Sequence, residues 1–116
     1  MDKLFEGDQA PRPGELKIET VRAGACVELV LAGELDLVSA PALEGELMAV
    51  ESDSVGELVI DLQRLEFMDS TGLRVLLSAT RHAEAEGHKL LLRNVQGQVR
   101  RLFEIAGVLE QFSLPE

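Results

Sequence analysis

Apolar and polar positions follow two periods along this chain, and the switches between them mark out its elements. Leu16 and Ile18, with Val21 after them, are set against Lys17 and Glu19, which predicts a half-buried strand over Glu15–Val21. Arg22-Ala23-Gly24-Ala25 reads as a hairpin turn, and Cys26–Leu35 as a second strand with Val27, Leu29 and Leu31 on one face. Strands this close pair antiparallel. The period then lengthens. Ser39 suits an N-cap and Pro41 a first turn. Leu43, Leu47 and Val50, with Met48 beside them, form a helical stripe whose Glu44, Glu46 and Glu51 take water. Residues 52–56 break that helix before a short apolar strand, Leu58–Leu62.

A second helix is predicted over Thr71–Glu86, with Leu73, Leu76, Leu77, Thr80 and Ala83 inward and Gly87 as C-cap. Lys89–Arg93 is a strand built on three leucines. Gln96–Ala106 is a third helix with Val99, Leu102, Phe103 and Ala106 inward, stopped by Gly107. The tail Val108–Leu114 has room for a last strand near Phe112. Residues 1–14, with Pro11 and Pro13, show no period and are expected to form a flexible arm. Residues 15–116 then make one domain. The order ββαβαβα predicts an α/β fold, a mixed sheet opened by an antiparallel hairpin and continued by parallel strands through βαβα crossovers. Sites in such folds gather at the carboxyl ends of parallel strands. Two polar loops fall there, Leu35–Ser39 and Leu65–Gly72, which brings Asp36, Asp69, Ser70 and Thr71 to one edge.

Composition removes several function classes. Eleven Lys and Arg stand against 21 acids, a formal net charge of −10, which opposes binding to nucleic acid or anionic lipid. With 3% aromatics and no Trp or Tyr, base-stacking platforms are missing as well. Cys26 is the single cysteine, so neither an internal disulfide nor a four-cysteine zinc site can form. His82 and His88 flank Glu84 and Glu86 without the i, i+4 spacing of a helical zinc pair, so no metal is expected. No basic, apolar leader opens the chain, and no apolar run approaches the roughly 20 residues of a membrane helix. The expectation is a monomeric cytoplasmic protein.

An enzyme is not expected either. A nucleophilic Ser70 would need a base, and His82 lies about three turns further along the same helix. No glycine-rich loop carries a lysine for nucleotide phosphates. Asp61 and Asp69 lack the acidic pair and late lysine of a phospho-accepting receiver domain. That leaves two readings of Asp69-Ser70-Thr71-Gly72, at the junction of the third strand and second helix. One is a helix cap, stabilising by about 1 kcal/mol. The other is a phosphate-accepting hydroxyl at a helix N-terminus, where unpaired N–H groups and the dipole favour negative charge. Gly72 favours the second, because glycine in a first turn costs up to about 1 kcal/mol against alanine and implies a close approach to the backbone.

The segment Phe67-Met68-Asp69-Ser70-Thr71-Gly72-Leu73 resembles the signature of the anti-sigma-factor antagonists of the STAS group. Gly33-Glu34-Leu35-Asp36 is a second match, and Val99–Gly107 is similar to that family's third helix. The resemblance spans roughly Leu16–Leu114. It implies a partner switch. Ser70, with Thr71 as second candidate, would be phosphorylated by the cognate anti-sigma factor, a serine kinase of the histidine-kinase-like ATPase type. Asp36, Asp69, Thr71 and Gly72 would belong to the partner or phosphate site. The unphosphorylated chain would bind the anti-sigma factor and free the sigma factor, and a serine phosphatase would reset it. ATP and Mg²⁺ would belong to the kinase, so no cofactor is expected on this chain. The rival expectation is a STAS-like scaffold or regulatory subunit of a signalling or lipid-transport assembly that never turns over phosphate. A small α/β hydrolase is a more distant one.

Overall fold

The antiparallel hairpin forms where the alternation places it. In the computed structural model, which describes residues 11–51 and 55–114, β1 (Leu16–Ala23) pairs with β2 (Cys26–Leu35) in unbroken register from Leu16↔Gly33 to Ala23↔Cys26. Leu16 and Ile18 pack on the core. Val21 does not join them: it is 43% exposed, because an odd position cannot share a pleat with two even ones. Of the arm expected over residues 1–14, residues 1–10 lie outside those described. At its end Arg12 N donates to Glu15 Oε1 at 2.9 Å, and Glu15 N to Arg12 O at 2.9 Å.

Beyond the hairpin, β3 (Glu57–Met68) and β4 (Lys89–Arg93) add in parallel, giving the sheet order β1-β2-β3-β4. Three helices connect or follow them: α1 (Ala40–Glu51), α2 (Ser70–Glu86) and α3 (Gly97–Ala106). Val27, Leu29 and Leu31 of β2 share one hydrophobic core with residues of all three helices. Val30 and Ala32, on the alternate pleat, form a separate small cluster. The helices therefore cover one sheet face. On the other, Arg93 reaches Glu28 at 3.2 Å. The expected mixed α/β architecture is the observed one.

The largest correction concerns β3. It runs to Met68, not Leu62, so Leu65–Met68 is strand and not loop. Register shifts between Val30 and Ala32, and between Gly33 and Glu34, let β3 follow β2 to its end at Leu35↔Met68. Each shift resets the alternation, so Leu62, Leu65 and Met68 all face inward at three-residue spacing. No period-two reading can find such a strand.

Smaller corrections follow from packing. The Ser39 hydroxyl does not cap α1; it accepts from Asp36 N at 2.9 Å and reaches Glu34 O at 2.9 Å. Met48 is 72% exposed, outside the stripe of Leu43, Leu47 and Val50. In α2, Val75 and Ala79 are buried while Leu77 is half-buried. In α3, Val99 and Phe103 are buried, Leu102 half-buried and Ala106 exposed. Gly87 does cap α2, its N–H bonding Glu84 O. The tail forms no strand. A 3₁₀ turn at Leu109–Gln111 delivers Phe112 onto Phe103, ring centroids 4.8 Å apart, and one ladder bond remains, Leu92 N to Ser113 O at 3.0 Å. Stacking against a buried ring outcompetes a longer edge pairing.

Candidate functional site

Parallel pairing brings the ends of β2 and β3 side by side, so the loop after each begins at the same level. Leu35↔Met68 is the last pair, and Asp69 N donates onward to Leu35 O at 3.1 Å. The Asp69 carboxylate then serves both loops. Its Oδ1 accepts from Thr71 N at 2.9 Å and Gly72 N at 3.2 Å, capping α2, and its Oδ2 accepts from Leu37 N at 3.3 Å. Asp36 organises its own loop, Oδ1 accepting from Val38 N at 3.0 Å and Ser39 N at 3.1 Å. Each aspartate thus holds its own loop by short-range bonds of the Asx type, and Asp69 also ties the two loops together through Leu37.

Ser70 is the first residue of α2 and exposed. Its hydroxyl makes no hydrogen bond among the described residues, so the capping role belongs to Asp69. Replacing Asp69 by alanine should therefore destabilise the protein by about 1–2 kcal/mol, measured by denaturant unfolding. Ser70→Ala should cost far less. If the two cost the same, Asp69 is not the cap.

Gly72 has an internal explanation. It is buried, and a Cβ there would stand 2.7 Å from Leu35 Cγ and 2.8 Å from Met68 Cγ. The close approach expected from the sequence is real, but Leu35 and Met68 make it. Alanine would gain up to about 1 kcal/mol in helix propensity and lose roughly 1–3 kcal/mol by overpacking. Gly72→Ala should then be net destabilising by about 1 kcal/mol in an unfolding titration, and a stabilised variant would show that the two side chains give way.

The loop bonded to Asp69, next to Ser70, presents aliphatic side chains to solvent. Leu37 and Val38 are 71% and 85% exposed. Thr71, half-buried, lines a cleft of about 250 Å³ with Leu37, Pro41 and Arg74. A second cleft of about 440 Å³ continues between α1 and α2 past Met48. Exposed aliphatics beside a free hydroxyl suit docking against another protein. Leu37, Val38 and Arg74 were not singled out from sequence, although two consecutive aliphatics in a loop without periodicity were the available signal. His82 does not approach Ser70; its Nε2 meets Glu51 Oε1 at 3.3 Å. Among the described residues no three His, Cys, Asp or Glu side chains gather as a metal site, and no helix is long and apolar enough to cross a membrane.

Residues 18–114 match the family described as "Mlab, STAS domain". The chain is 30% identical over 101 residues to the anti-sigma-B factor antagonist of Staphylococcus aureus, covering 87% of this chain and 94% of that protein. Its fold matches the crystal structure of an anti-sigma factor antagonist from Mycobacterium paratuberculosis, with a TM-score of 0.77 and 30% identity over 90% of this chain and 88% of that one. The phosphorylated form of the Bacillus cell fate determinant SpoIIAA shares the fold at a TM-score of 0.67 and 24% identity, covering 86% and 92% of the two chains.

Proposed function

Because the chain belongs to the STAS-domain family and has anti-sigma factor antagonists among its relatives, we propose that it is itself an anti-sigma factor antagonist switched by phosphate on Ser70. The observation that carries this reading is the free Ser70 hydroxyl, exposed at the start of α2 beside the uncovered Leu37 and Val38. In its unphosphorylated state the chain docks onto an anti-sigma factor that is also a serine kinase of the histidine-kinase-like ATPase type, and the sigma factor is released. The kinase brings ATP and Mg²⁺. A serine phosphatase removes the phosphate. Asp36, Asp69 and Thr71 shape the docking loop, while Gly72 acts from inside by letting α2 sit close to β2.

The site has the electrostatics such a switch needs. Thr71 N and Gly72 N already bond Asp69, so a phosphate on Ser70 finds these helix N-terminal donors occupied. Its roughly −1.5 to −2 charges are left facing the partner. One observation favours the rival reading of a scaffold that never turns over phosphate: Asp69 and Gly72 both have complete structural accounts without it. Incubation with the cognate anti-sigma factor and ATP, followed by intact mass and peptide mapping, decides. One added phosphate mapped to Ser70 supports the switch. No incorporation despite tight binding supports the scaffold.

A further inference from the structure

β4 is too short for β3. It pairs with β3 only from Glu57↔Lys89 to Asp61↔Arg93, whereas β3 continues to Met68. Past Asp61 the side of β3 away from β2 is therefore a sheet edge with no strand beside it among the described residues. The connection from β4 to α3 and the first turn of α3 run along that edge and meet it with side-chain amides at two-residue intervals. Asn94 Nδ2 donates to Asp61 Oδ1 at 2.8 Å, and Gln96 Nε2 to Gln63 O at 3.4 Å. Gln98 closes the series with two bonds: its Oε1 accepts from Met68 N at 2.9 Å and its Nε2 donates to Met68 O at 2.9 Å. Asn94 at φ 63° and Gly97 at φ 59° turn the chain so that it can follow the edge.

We propose that Gln98, supported by Asn94 and Gln96, is a positioning residue for Ser70, its carboxamide replacing the missing strand at the point where β3 hands over to α2. A carboxamide carries the same donor and acceptor as a peptide group, so it can satisfy both backbone groups of one residue as a strand neighbour would. The consequence lies in the Met68–Asp69 peptide. Its carbonyl is held by Gln98 Nε2, and its N–H by Leu35 O at 3.1 Å. That peptide plane is bonded on both edges, and Ser70 is the next residue. Releasing one edge lets the plane tilt and carries the hydroxyl off line. Phosphoryl transfer depends on such placement, since little else is asked of the acceptor.

The inference rests on the reading of Ser70 as acceptor, and its test separates the two. Gln98→Met keeps the length of the side chain and removes both bonds; Gln98→Glu keeps an acceptor for Met68 N–H and removes the donor. Amide exchange of Met68 and its neighbours is measured alongside kinetics of phosphorylation by the cognate kinase, well below the melting temperature. In Gln98→Met, Met68 exchange should rise about 3- to 10-fold beyond any global change, the worth of one hydrogen bond. The kcat/KM for phosphorylation should fall about 3- to 30-fold, mostly in kcat. Gln98→Glu should retain Met68 protection yet still lose kcat, because the carbonyl edge is free. A merely structural Gln98 would lower the melting temperature and leave kcat unchanged. Unchanged Met68 protection in Gln98→Met, or lost protection with wild-type kcat/KM, overturns the proposal. If the wild-type protein takes no phosphate on Ser70, the functional reading falls instead, and the exchange data alone decide whether Gln98 holds this peptide.

Discussion

Ser70→Glu should bind the anti-sigma factor far more weakly than the wild type does while remaining folded. An unpaired charge in a desolvated interface costs about 2–5 kcal/mol, which is roughly 30- to several-thousand-fold in affinity. Two features work against this. Arg74, four residues along α2, can offset about 0.2–0.5 kcal/mol as an exposed i, i+4 pair. The helix dipole adds about 0.3–1 kcal/mol. Their sum is smaller than the interface cost, and it stabilises the free protein as much as the complex. Dissociation therefore wins. Glutamate carries one charge and two oxygens where phosphoserine carries nearly two and three, so the mimic should fall near the lower end of the range.

Ser70→Ala makes the opposite case. It removes the acceptor without adding charge, and among the described residues the hydroxyl has no hydrogen-bond partner to lose. Phosphate incorporation should disappear, partner affinity should stay within about threefold, and stability should change by less than about 0.5 kcal/mol. Calorimetric titration of the three proteins against the kinase, with melting curves in parallel, reads all of this. Equal affinities for wild type, Ser70→Ala and Ser70→Glu would remove the switch and leave a docking loop only.

Gly33→Ala should be the most damaging single methyl at the site. Gly33 has φ 103°, and a Cβ there would stand 2.0 Å from Glu15 O and 3.1 Å from Pro11 Cβ. The carbonyl of Glu15 is not free to move, because it accepts from Glu34 N at 3.0 Å. Strain at positive φ costs about 1–3 kcal/mol and forced overpacking another 1–3 kcal/mol. A loss of about 3–5 kcal/mol should lower the melting temperature by roughly 10–25 °C in a domain of this size. A drop below about 5 °C would show that the chain yields at Glu15, just before β1. The same glycine sits at the register shift that lets β2 and β3 end together, so partner affinity of the surviving folded fraction should fall as well.

The features legible along the chain were ones set by near neighbours, although Val21, Ser39 and Met48 show that even local patterns yield to packing. The period-two runs over Leu16–Ile18 and Val27–Leu31, the helical spacing of Leu43, Leu47 and Val50, and the Gly87 cap each depend on a few adjacent residues. So does the place of Asp69-Ser70-Thr71-Gly72 between a strand and a helix. The pairing senses followed too, antiparallel within the hairpin and parallel through the two crossovers; the order of the strands in the sheet came from the structure. Tertiary structure alone decided what depends on distant partners. β3 reaches Met68 alongside β2 by taking one extra residue at each of two register shifts, and those shifts erase the alternation that would announce a strand. Gly72 serves Leu35 and Met68, which only the completed sheet brings against α2. Asp69 binds Leu37, 32 residues away, and Gln98 clasps Met68 across 30. No local pattern encodes either bond, since each forms only once parallel pairing has set the two loops side by side and left an edge of β3 to fill.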